Sequence, residues 1–129
     1  MAYNFIGYSA EALDHYDHPR NVGEIEGPDA EASVTNPACG DTLKLSLRIV
    51  EGKVSDAKFK AAGCSGAIAA GSAATEMIRG MTTMEAAACT GREISEFLGG
   101  LPQAKAHAAA LAESAIRKAL GKAIRAERT

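Results

Sequence analysis

Hydrophobic and polar positions change their period twice along this chain, and the changes divide it into three parts. Ser9 to Tyr16 reads as a short helix, with Ser9 able to cap its start and Glu11 supplying an acidic first turn. His18-Pro19 then discourages further helix, because proline biases its predecessor toward extended backbone. The middle alternates. Leu43, Leu45, Leu47 and Ile49 fall on one face, and Thr42, Lys44, Ser46 and Arg48 on the other, the pattern of a half-buried strand. Glu51-Gly52 marks a turn into a second strand through Val54, Ala57 and Phe59, and an earlier strand over Glu31 to Asn36 completes three.

From Gly66 onward the period becomes helical. Ala67 to Arg79 predicts an alanine-rich helix ended by Gly80. Thr82-Thr83 starts a short helix that stops by Gly91, and another covers Glu93 to Leu98. Gly99-Gly100-Leu101-Pro102 breaks the chain before a long helix over Gln103 to Ala126. Ala106, Ala109, Ala110, Ala112, Ile116, Ala119 and Leu120 are expected to include its buried stripe. The fold class predicted is α+β: a three-stranded antiparallel sheet with helices packed on one face.

Bulk properties refine this little. A chain of 129 residues suits one domain, expected over 1–129, and buries roughly two-thirds of its unfolded surface. Apolar residues are 47% of it but there is no tryptophan, so close packing of small side chains is expected. A net charge of −2 offers no general attraction to nucleic acid or anionic membranes. Arg117, Lys118, Lys122 and Arg125 read as a solvated helix face. No apolar run approaches the roughly 20 residues that span a bilayer. The opening Met-Ala-Tyr-Asn-Phe-Ile-Gly-Tyr is expected to be too short and too polar for a signal peptide. Three cysteines, at 39, 64 and 89, do not suggest a disulfide framework, so a reducing, cytoplasmic location is expected.

Candidate chemistry gathers at element boundaries. Cys39 lies in the turn Asn36-Pro37-Ala38-Cys39-Gly40-Asp41, and Asp41 follows two residues later. Cys64 precedes a helix start, where positive potential is expected to lower its pKa and favour thiolate. His107 sits in the first turns of the last helix. Two thiolates, an imidazole and a carboxylate form a donor set for zinc or for one edge of a [2Fe–2S] cluster. Taken singly, each has a plain reading as a buried thiol, a structural turn or a surface or core histidine. Cys89, on an apolar-faced short helix, reads as core filler. His15 and His18 are expected at the surface, in contact with a partner.

The order of motifs adds more. Tyr8-x-x-Glu11 through His15-Tyr16-Asp17-His18-Pro19-Arg20-Asn21-Val22-Gly23, then Pro37-Ala38-Cys39-Gly40-Asp41, Gly63-Cys64 and Leu101-Pro102-x-x-Lys105-Ala106-His107 resemble the IscU/NifU N-terminal scaffold family. That resemblance implies the SufE/NifU-type fold and a scaffold, not an enzyme, for transient [2Fe–2S] assembly. It implies Cys39, Asp41, Cys64 and His107 as cluster, iron or zinc ligands. It further implies a cysteine desulfurase as sulfur source, apo iron–sulfur proteins as recipients, Hsp70/Hsp40-type chaperones at Leu101–Lys105, and a monomer or weak homodimer. Two departures stand out. The family's third cysteine, directly after the histidine, is Ala108 here, and its Leu-Pro-Pro-Val-Lys segment reads Leu101-Pro102-Gln103-Ala104-Lys105. Ala108 keeps a second reading open, a divergent zinc- or iron-binding carrier or regulator. A third is a Cys64-dependent enzyme with His107 as base.

Overall fold

The computed structural model describes residues 7–37, 40–102 and 105–128. The order is α1 (Ala10–Asp17), β1 (Ala30–Thr35), β2 (Thr42–Val50), β3 (Lys53–Ala62), α2 (Ser65–Ile78), α3 (Thr83–Ala87), α4 (Gly91–Phe97) and α5 (Ala106–Arg128). The strands form one antiparallel sheet in the order β1-β2-β3, as the alternation predicts. Among the described residues no helix is long and apolar enough to cross a membrane.

α1, α3 and α4 each start where a side chain satisfies a free amide. Ser9 Oγ accepts the Ala12 N–H at 2.9 Å. Thr82 with Glu85, and Thr90 with Glu93, form reciprocal capping boxes for α3 and α4.

The core lies between the sheet and its helices. Leu43, Leu45, Leu47, Ala57 and Phe59 point inward and are buried. α2 packs on β3, while α5 packs across β1 and β2. Gly71 permits α2 to approach β3 closely: a Cβ there would lie 2.4 Å from Phe59 Cδ2. α2 is buried on nearly every side, because α1 and α5 cover what the sheet does not.

The outer face is not bare. Residues 24–29 cross it: Glu24 reaches Lys44 at 2.6 Å, and Arg48 donates to the Glu26 and Gly27 carbonyls at 2.8 Å each. Ser46, expected as a solvent-facing position, is therefore 1% exposed. A register shift between Arg48 and Ile49 also ends the simple alternation, leaving Ile49 half-buried and Val50 exposed.

Three expectations need correction. Ala106 and Ala110 are exposed, and the buried face of α5 runs through Ala108, Ala109, Ala112, Ala115, Ile116, Ala119 and Leu120. Alanines on every face of the first turns leave the period ambiguous there. His15 is buried, not at the surface. Its Nδ1 lies 2.7 Å from Ser72 Oγ on α2, and its ring meets Phe97 edge-on. Burial pushes the His15 pKa down, reinforced by the Arg20 charge. The α2 helix begins at Ser65, two residues before the expected start. His18 is exposed beside Asp14, so the two histidines share no site.

Candidate metal centre

Three structural elements end at one point. Asp41 immediately precedes β2, Cys64 follows β3 as the N-cap of α2, and His107 is the second residue of α5. The antiparallel pairing of Thr42 with Ala62 brings the start of β2 level with the end of β3. That register carries Asp41 to Cys64 across the sheet.

Asp41 is buried, 3% exposed, and its carboxylate holds the group together. Its Oδ1 accepts the Cys64 backbone N–H at 3.1 Å. Its Oδ2 accepts the Cys64 thiol at 3.0 Å and lies 3.3 Å from His107 Nε2. One ligand atom from each residue lies within 4.8 Å of the others. A tetrahedral ion with bonds of ~2.0–2.3 Å spaces its donors ~3.3–3.8 Å apart, so small movements would suffice to admit one. Cys64 and His107 are half-buried, which keeps the sulfur and the ring reachable from solvent.

Cys64 does not carry the lowered pKa expected from its helix position. Burial pushes its thiol up, and the hydrogen bond to Asp41 adds to that. The amides of Ala67 and Gly66 pull the other way but are outweighed. A carboxylate accepting from the thiol stabilises the protonated form, which the sequence pattern could not display.

Cys39, the fourth expected ligand, lies outside the described residues, as do Gln103 and Ala104 of the segment Leu101–Lys105. Cys89 is buried between α3 and α4, and its burial pushes its pKa up, in keeping with a core role. Ala108 is fully buried beside the site. Its Cβ lies 3.3 Å, and Cys64 Sγ 3.5 Å, from the same point, where a side chain on Gly66 would begin.

One contact and one recess beside the site carry no signal in the sequence. The Tyr8 and Ser65 hydroxyls are 3.0 Å apart, tying the N-terminal segment to the first turn of α2. A recess of about 350 Å³ between β1 and α5 borders His107 on the side of Val34 and Leu111. Tyr8 stood in the motif order, but nothing in its spacing pointed to Ser65.

Comparison with known proteins gives a consistent result. The family model for the NifU-like N-terminal domain matches residues 7–127. The chain is 43% identical over 113 residues to "Iron-sulfur cluster assembly scaffold protein IscU 1" of Archaeoglobus fulgidus, covering 88% of this chain and 74% of that protein. It is 43% identical over 119 residues to IscU of Azotobacter vinelandii and 42% identical to IscU of Escherichia coli K12, each covering 89% of this chain and 92% of the relative. Among solved structures, a protein from Fervidobacterium islandicum AW-1 that is described as a candidate iron–sulfur cluster assembly scaffold for the SUF system superposes with a TM-score of 0.76 at 22% identity, covering 92% of this chain and 99% of that one. A NifU-like N-terminal structure from Brucella abortus gives 0.58 at 23% identity, covering 92% and 81%. These two likenesses speak to the fold.

Proposed function

The chain belongs to the NifU-like N-terminal domain family, and we propose that it acts as one scaffold domain on which an iron–sulfur cluster is assembled and then passed on. The observation that carries this reading is the single carboxylate of Asp41 held between Cys64 and His107. Relatives that are 42–43% identical bear the name of iron–sulfur cluster assembly scaffold, which supports it.

In this reading Cys39, Asp41, Cys64 and His107 hold the cargo, a [2Fe–2S] cluster, with iron or zinc as simpler occupants. The protein binds and releases, and it is not an enzyme. A carboxylate exchanges more readily on iron than a thiolate does, so Asp41 is the ligand suited to letting go. Ligands at the ends of β2, β3 and α5 allow the site to open without unfolding the sheet. Sulfur would come from a cysteine desulfurase, the cluster would leave to apo iron–sulfur proteins, and Leu101–Lys105 would meet an Hsp70/Hsp40-type chaperone. The setting is the cytoplasm, and the scaffold is a monomer or weak homodimer.

Ala108 favours one second reading. Its Cβ and Cys64 Sγ lie 3.3 Å and 3.5 Å from one point beside Gly66, so residue 108 stands near the site but offers it no thiol. A chain lacking that thiol suits a zinc- or iron-binding carrier that no longer builds clusters. A Cys64-dependent enzyme is less well supported, because Asp41, not His107, engages the thiol.

Anaerobic reconstitution with iron and sulfide separates the first two. A scaffold develops cluster absorbance with matching iron and sulfide content. A carrier takes up zinc or iron alone, and Ala108→Cys then raises cluster yield. Absence of both cluster and metal uptake would overturn each.

A further inference from the structure

Gly63 contributes no donor atom to the site, yet the geometry assigns it as a positioning residue: the missing side chain at 63 is what lets the Asp41 carboxylate seat against Cys64. A Cβ at Gly63 would lie 2.1 Å from Asp41 Oδ1, 2.7 Å from its Cγ and 3.0 Å from its Cα. Contacts under 3.0 Å are essentially never made by real Cβ atoms, so something must move.

The backbone at 41 has little freedom to do so. The Asp41 carbonyl accepts the Asn36 N–H at 2.8 Å, and Thr42 next to it is paired with Ala62. The carboxylate itself has to swing away. Doing so gives up the Cys64 N–H at 3.1 Å, the Cys64 thiol at 3.0 Å and His107 Nε2 at 3.3 Å together. One added methyl group dismantles the constellation without altering any ligand.

Gly66, on the other side of Cys64, makes the contrast. A Cβ there would meet Lys105 Cβ and Ala108 Cβ at 3.3 Å and Cys64 Sγ at 3.5 Å, so those neighbours would have to give by only a few tenths of an ångström. Gly63 also has φ +131°, a conformation that costs any other residue strain whatever it touches. The test must separate that general strain from the seating of Asp41. The purpose of the seated carboxylate rests on the scaffold reading, whereas the seating does not.

Amide hydrogen exchange of Cys64, followed by NMR on zinc-free protein, reads the Asp41 Oδ1 contact directly. Gly63→Ala and Asp41→Ala should each speed exchange by about tenfold, the scale of one lost hydrogen bond. Adding Gly63→Ala to Asp41→Ala should speed it no further. A parent-like rate in Gly63→Ala overturns the inference. So does an equal further increase in the Asp41→Ala background, because strain alone would then explain it. Should Gly63→Ala fail to fold, Asp41→Glu carries the test: its longer side chain cannot occupy the same seat and must raise exchange to the Asp41→Ala level, and a parent-like rate refutes the seating. Zinc affinity by chelator competition is the second readout. Gly63→Ala should weaken it by about tenfold, with Gly66→Ala changing it much less. Equal losses in the two variants count against Gly63. If the parent binds neither zinc nor cluster, the scaffold reading fails while the exchange result still decides the role of Gly63.

Discussion

Asp41 grips Cys64 at two places, accepting its backbone N–H on Oδ1 at 3.1 Å and its thiol on Oδ2 at 3.0 Å. Its Oδ2 is also the oxygen nearest His107, at 3.3 Å. The acid therefore links the end of β3 to the start of α5, and its removal should be felt at both.

Asp41→Ala should lengthen the life of a bound cluster. A carboxylate is the most exchangeable member of the proposed ligand set, and without it release slows. The decay of cluster absorbance in the presence of a chelator measures this. Faster loss than in the parent would refute the releasing role.

Cys64 should alkylate slowly in metal-free protein at neutral pH. Its thiol is held protonated by burial and by Asp41, and thiolate is the reactive form. Asp41→Asn, which takes away the acceptor charge, should speed labelling, read peptide by peptide by mass spectrometry. Rates at Cys64 above those of a free cysteine would contradict the assignment.

Stability should fall as the solution is acidified through the histidine range. His15 has a folded pKa below its unfolded value near 6.5, so the unfolded chain binds the extra proton more readily. The contribution is complete above the unfolded pKa and disappears as pH drops through the folded one. Urea midpoints between pH 8 and pH 5 measure the slope. His15→Gln should flatten it, and an unchanged slope would place its origin elsewhere.

Two glycines should respond in opposite directions. Gly71→Ala puts a carbon 2.4 Å from Phe59, and over-packing of this kind costs about 1–3 kcal/mol. Gly121 lies in α5 with nothing within 4 Å of a new Cβ, so Gly121→Ala should stabilise by about 0.5–1 kcal/mol. Denaturant midpoints of the two variants are the check.

Much of this architecture was legible because its signals are local. The alternation from Leu43 to Leu47 gave a strand face, and glycines and threonines marked the helix ends. The convergence of Asp41, Cys64 and His107 was accessible through motif order, since each stands at an element boundary. What escaped depends on contacts distant in sequence. His15 is buried against Ser72, 57 residues away, and the Cys64 pKa is raised by burial and then by Asp41, 23 residues away. Ser46 looked solvent-facing because residues 24–29 carry no periodic pattern that would send them across the sheet. The first turns of α5 lack contrast, with alanine at 106, 108, 109 and 110 alike, so their pattern does not show which face is buried.

X-ray absorption at the zinc edge, on protein loaded anaerobically with one equivalent of zinc, tests the shared site most directly. The expected spectrum has sulfur at ~2.3 Å together with nitrogen and oxygen at ~2.0–2.2 Å. The sulfur contribution should drop in Cys64→Ala, and the imidazole signature should vanish in His107→Ala. A shell of light atoms alone, or one that neither substitution changes, would contradict a centre built by Asp41, Cys64 and His107.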